Sequence, residues 1–156
     1  MKKLIFLLTI VLLGILQVTL LDHFRLFNIR PDLLLICAVI ASLTFNLRTA
    51  LFFSAFAGIF KDLFVGSAFC INTLLFSLWS FLIVELSRQI PLEEISLRMA
   101  LMLIVTILHN LASGLLMLSL GNSISLGIFL RILLIETVLT ALFFPLVSRI
   151  LKPAYS

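Results

Sequence analysis

Six apolar runs, 4–21, 31–46, 48–63, 68–87, 98–119 and 124–148, follow one another through this chain of 156 residues with only short polar breaks between them. A helix crossing the roughly 30 Å hydrocarbon layer of a bilayer needs about 20 such residues. Charged residues make up 12% of the chain, about half the share found in soluble domains, so water cannot be the solvent for most of its surface. The expectation is an all-α membrane protein, with residues 1–156 forming a single transmembrane domain, a six-transmembrane-helix bundle. The N-terminal run follows two lysines, as in a leader peptide. It is about as long as a span, however, and no small-x-small cleavage site follows, so it is expected to remain as the first helix.

The second and third runs are short, about 24 Å each as helix, and a single crossing over 31–63 would put Arg48 in mid-membrane. Basic residues decide between the two arrangements, because they collect on the cytoplasmic side. Six crossings with a cytoplasmic N-terminus place seven cations inside (Lys2, Lys3, Arg48, Arg88, Arg98, Arg149, Lys152) and three outside (Arg25, Arg30, Lys61). Merging the two runs reverses the balance, to three inside and six outside. Both termini are therefore expected in the cytoplasm, with Arg131 left within the last helix. The net charge of +4 is spread singly between apolar runs, which argues for topology rather than nucleic-acid binding. Cys37 and Cys70 lack metal-ligand spacing and read as small core- or lipid-facing residues, their pairing left open.

One polar block stands out, GIFKDLFVGSAFCIN at 58–72. Counting back in fours from Asp62 gives Gly58, Ser54 and Ala50, small residues on nearly one helix face. Lipid offers no reward for contact between ordinary apolar faces, so such a ridge marks close helix packing. Asp62 is expected to point into protein, with Lys61 snorkelling to the interface. Gly66 suits a tight turn, Ser67 suits the cap of the fourth helix, and Asn72 is a candidate partner for Asp62. The plainer reading is a polar turn between helices.

With RPDLLL at 30–35, this block resembles the MreD family of the bacterial rod-shape system, and the likeness covers residues 30–85 best. Members typically show Arg-Pro before the second helix, then Gly, Asp-Leu and Gly-Ser at this spacing; Cys70 departs from the pattern, where Gly is common. The resemblance implies a non-enzymatic scaffold of the cell-elongation machinery in the cytoplasmic membrane. It would bind the single-span protein MreC and, indirectly, the wall-synthesis enzymes that make peptidoglycan. It also implies a fold similar to the six-helix substrate-binding subunits of vitamin (energy-coupling factor) transporters. No cofactor, metal or nucleic acid is implied. A homodimer is compatible with the resemblance, although no specific pattern supports one.

Other polar groups lie in the apolar runs. His109 and Asn110 fall near the centre of the fifth run and Glu136 near that of the sixth, so a His109–Glu136 hydrogen bond is expected to fasten these helices, ahead of a proton relay. Arg131 and Glu136 are about 140° apart around one helix, so Asp62 is the acid expected to meet Arg131. Glu85 and Arg88 read as an interfacial pair of little consequence.

Two other functions compete. A small-molecule transport subunit fits the short helices and the Gly-interrupted turn, but residues 4–21 lack the Ala-x-x-x-Ala face that would bind its partner. An intramembrane aspartyl peptidase fits the chain length and the acids Asp22, Asp32 and Asp62, yet GNSIS at 121–125 brings no second acid to form a dyad.

Overall fold

A computed structural model describes residues 1–19, 29, 31–66, 70–123 and 125–155. Six helices follow in order: α1 Lys2–Thr19, α2 Leu33–Thr44, α3 Leu47–Val65, α4 Ile71–Gln89, α5 Ile95–Ser119 and α6 Leu126–Tyr155. Four of them, α1, α4, α5 and α6, are long and apolar enough to cross a membrane. Large apolar side chains such as Leu74, Leu115, Leu134 and Leu142 point outward from these helices, so the chain is a multi-pass membrane protein whose outer faces meet lipid.

The bundle is organised around α2. Its sequence, LLLICAVIASLT, is apolar on every side, as a helix enclosed by protein must be. Ten of its twelve residues are buried, and it touches every other helix. At 1.5 Å per residue it is only about 18 Å long, too short for a lipid-exposed span. The expected 16-residue second crossing is thus a shorter, protein-enclosed core helix. Pro31, the first residue of that run, lies just before the Asp32 cap and outside the helix.

The tightest packing in the molecule joins α3 to α4. Ala50, Ser54, Gly58 and Asp62 are all buried along α3. A Cβ on Gly58 would lie 2.5 Å from Thr73 Cα and 2.9 Å from the Asn72 carbonyl oxygen. Neither atom can turn aside, because both belong to the α4 backbone. Gly58→Ala is therefore expected to force the helices apart and cost about 2–3 kcal/mol. Gly127→Ala, at a site with nothing within 4 Å, is the control in a thermal unfolding comparison. Equal melting temperatures for the two variants would refute the close approach. Ser54 Oγ is buried without a hydrogen bond, so this ridge position acts through its small size.

At one end of the bundle, Phe6, Phe45 and Phe53 form an aromatic cluster with ring centroids 4.8–5.3 Å apart. Elsewhere Ser42 donates to Ser80 Oγ at 2.8 Å and fastens α2 to α4.

Candidate functional site

The polar groups of the interior gather where α2 and α4 begin and α3 ends. Asp32 is the N-cap of α2, and its Oδ1 accepts from the Leu35 N–H at 3.1 Å. Four other helices reach the same point. From α1, Gln17 Oε1 accepts from the Leu34 N–H at 3.2 Å. From α6, Thr140 Oγ1 accepts from the Asp32 N–H at 3.1 Å. From α3, Lys61 donates to Asp32 Oδ2 in an ion pair. From α5, His109 Nε2 lies 3.4 Å from Lys61 Nζ. Phe76 of α4 closes this hub, with its ring centroid 5.3 Å from the Lys61 ammonium and 5.2 Å from the His109 ring.

Lys61 therefore does not snorkel outward. Its side chain is only 15% exposed and turns inward to Asp32, which is buried. The cause is reach: a flexible four-carbon stem brings the ammonium to a carboxylate whose other oxygen is already held by backbone. In a medium of low polarity each charge needs a partner, and these two supply one another.

Asp62, the next residue, serves a second helix. Its Oδ1 accepts from the Asn72 N–H at 3.1 Å and the Asn72 Nδ2 at 2.8 Å, while Oδ2 accepts from the Thr73 N–H at 2.9 Å and the Thr73 Oγ1 at 2.7 Å. This is N-capping supplied from a neighbouring helix, since the α4 N-cap position, Cys70, makes no side-chain cap bond. An anion at the positive end of a helix also gains from the aligned peptide dipoles. Gly66 makes the turn possible, with φ +68° and its N–H bonded to the Asp62 carbonyl at 3.0 Å. Cys70 adopts φ +48° without being glycine. That conformation costs an L-residue about 1–2 kcal/mol, while glycine returns about 0.5–1 kcal/mol of extra chain entropy. Cys70→Gly is accordingly expected to stabilise the chain by about 0.5–1 kcal/mol, read as a rise in melting temperature; a fall would count against strain at this turn.

The expected partners divide clearly. Asp62 and Asn72 do meet. Four bonds to Asp62 come from the start of α4, and among the described residues no bond joins it to Arg131, which lies exposed on α6, a helix with no close backbone approach to α3. His109 does not bond Glu136: Nε2 faces Lys61 and the buried Nδ1 has no partner. The two residues stand at matching depths on adjacent helices, but His109 turns into the core toward α3 and α4. Glu136, half-buried, lines a cavity of about 190 Å³ together with Gln17, Asp32 and Lys61. Glu85 and Arg88 pair at 3.2 Å on an exposed helix face. Ser67, expected to cap α4, lies outside the described residues, as do Asp22, Arg25 and Arg30.

Asp32 and Lys61 are the central residues that sequence reasoning missed. An acid after proline and before an apolar run is an N-cap signature, and it would have placed Asp32. Nothing local marks the partnership with Lys61, 29 positions away.

Chemically, the arrangement fastens. Both Asp62 oxygens accept from donors at the start of α4, while Asp32 gives one oxygen to the start of α2 and the other to the Lys61 ammonium, so the two acids serve different helices. Among the described residues there is no group of three or more His, Cys, Asp or Glu that could hold a metal ion. The chain matches the profile of one protein family, rod shape-determining protein MreD, over residues 1–153. Comparisons with curated proteins and with solved structures give no match.

Proposed function

The chain belongs to the MreD family of rod shape-determining membrane proteins, and from that premise we propose that it is a non-enzymatic scaffold of the bacterial cell-elongation machinery. It docks the transmembrane helix of an MreC-like single-span protein and, through it, is linked to peptidoglycan synthesis. The observation that carries this reading is the family match over 1–153. The geometry supports it: the buried acids hold helix starts, which leaves a rigid bundle with apolar faces to offer a partner. The outer flanks of α3 and α4 are the proposed docking face, where Phe64 and Phe81 are 45% and 47% exposed.

Affinity purification from native membranes tests the proposal. A co-purifying single-span coiled-coil protein with wall synthases supports it, and ATPase subunits in their place overturn it. Phe64→Ala with Phe81→Ala should lower partner recovery several-fold without changing the melting temperature.

In this reading the protein lies in the cytoplasmic membrane with six crossings and both ends inside. The starts of α1 and α3 and the end of α4 share one face, where Lys3, Arg48 and Arg88 gather, as cytoplasmic placement favours. Exposed Cys70 should then react from outside with an impermeant maleimide in intact spheroplasts, while buried Cys37 stays silent. Labelling of Cys70 only after lysis would reverse the orientation.

The polar cavity beside Asp32 favours a second reading, a substrate-binding subunit resembling those of vitamin transporters. Its volume of about 190 Å³ is below the roughly 300–1,000 Å³ of pockets for drug-sized ligands. Ligand-dependent thermal stabilisation in detergent would revive it.

A further inference from the structure

At the end of the bundle opposite the polar hub, two cavities meet at Arg48 and Thr49. One, of about 610 Å³, is polar, with Asn46, Arg48, Ser87 and Arg88 on its wall. The other, of about 470 Å³, is largely apolar; Leu4, Leu7 and Phe52 line it, and Lys3 stands at its edge. Phe53, wedged against Phe6 and Phe45, gives the apolar cavity a rigid floor.

The charges here are unevenly matched. Arg88 is paired with Glu85. Arg48 and Lys3 enter no ion pair among the described residues. The first turn of α3 opens on the same polar cavity. It contains no acid, and the side chain of its N-cap residue, Asn46, makes no cap hydrogen bond. Amide N–H groups at that turn therefore face the cavity along with the positive end of the helix dipole.

We propose that this paired cavity is a binding site for one anionic phospholipid. Its phosphate sits against Arg48 and the α3 amides, and an acyl chain lies in the groove of Leu4, Leu7 and Phe52 between α1 and α3. A planar guanidinium with a fork of donors suits a phosphate oxygen pair. Contiguity of the two cavities through Arg48 is what selects an amphiphile over a soluble ion, since one end rewards charge and the other only hydrocarbon. A net negative head is preferred because a zwitterionic head would bring its own cation toward Lys3, Arg48 and Arg88.

Native mass spectrometry of the full chain, released from a neutral detergent and titrated with phosphatidylglycerol or phosphatidylcholine, tests the site. One phosphatidylglycerol should be retained in preference to phosphatidylcholine. Each basic group near a membrane surface is worth about five-fold in affinity for anionic lipid, so Arg48→Gln should weaken retention about five-fold and Arg48→Gln with Lys3→Gln about 25-fold. Arg48→Lys should keep most of it. Phe52→Ala should weaken phosphatidylglycerol binding and leave any uptake of inorganic phosphate unchanged. Two results overturn the proposal. One is unchanged lipid selectivity in Arg48→Gln. The other is displacement of the lipid by millimolar inorganic phosphate with the same Arg48 dependence, which would mark a soluble-anion site. If Arg48→Gln does not fold, as read from its melting in neutral detergent, Lys3→Gln carries the same comparison.

Discussion

Replacing Asp62 by alanine should remove a large share of the folding stability of this protein. Four donors at the start of α4 lose their acceptor at once, two of them backbone N–H groups of Asn72 and Thr73. Bonds to a charged acceptor are worth about 1.5–3 kcal/mol each, and orphaned buried donors cost about 1–3 kcal/mol; such costs overlap, so the expected loss is about 4 kcal/mol. That is a large share of the 5–15 kcal/mol typical of a folded domain. Asp62→Asn should lose about half as much, because one oxygen still serves Asn72 while the new NH₂ group faces the Thr73 N–H. The protein carries a convenient reporter, since Trp79, its one tryptophan, lies on α4 seven residues beyond Asn72. Thermal unfolding followed by Trp79 fluorescence in detergent should rank the parent above Asp62→Asn and that above Asp62→Ala. Melting temperatures within 1–2 °C of one another would show that α4 is held by its apolar contacts alone.

The second large effect concerns the ion pair. Lys61→Met keeps the length of the side chain and removes the charge, leaving the Asp32 carboxylate buried with only the Leu35 N–H for support. Breaking a buried pair in this way costs about 3–5 kcal/mol. Asp32→Asn in the same background should recover most of that loss, because a neutral amide needs no counter-charge and asparagine still caps a helix. A double-mutant cycle should give a coupling of about 2 kcal/mol or more between positions 32 and 61. Strict additivity of the two single losses would mean that the ammonium and the carboxylate are stabilised separately, and the hub would lose its centre.

Family membership and the polar hub bear on function from different directions. The rod-shape assignment comes from the whole chain, 1–153, while the hub explains how so short a chain keeps one fixed shape in lipid. Four other helices converge on the first turn of α2, which Asp32 caps, through Gln17, Lys61, His109 and Thr140. Among the described residues, Asp32 and Asp62 hold the starts of α2 and α4, which is the rigidity the proposed role would need.

Apolar run length, with the distribution of basic residues to separate the second run from the third, foretold six helices, because in lipid the backbone must satisfy its own hydrogen bonds and a long apolar segment has no other choice. The ridge of Ala50, Ser54, Gly58 and Asp62 and the turn at Gly66 were legible for a similar reason: small size and backbone freedom are intrinsic to a residue type. Asn72 was within reach of Asp62 because the turn between them is short. Depth along a helix was also readable, which is why His109 and Glu136 were placed level with each other. Rotation was not. Which side of α5 faces the core depends on how all its neighbours pack, and packing turned His109 toward Lys61.

The same distinction separates the two acids. Local sequence determined that Asp62 belongs to a helix junction, since its partners lie ten and eleven positions ahead. Only the tertiary structure decided that Lys61 bends inward, that Asp32 receives it, and that α2 is enclosed on all sides rather than facing lipid. Each of those outcomes depends on where distant segments come to rest, because a charge in a low-polarity interior is stable only beside whatever counter-charge the assembled bundle brings to it.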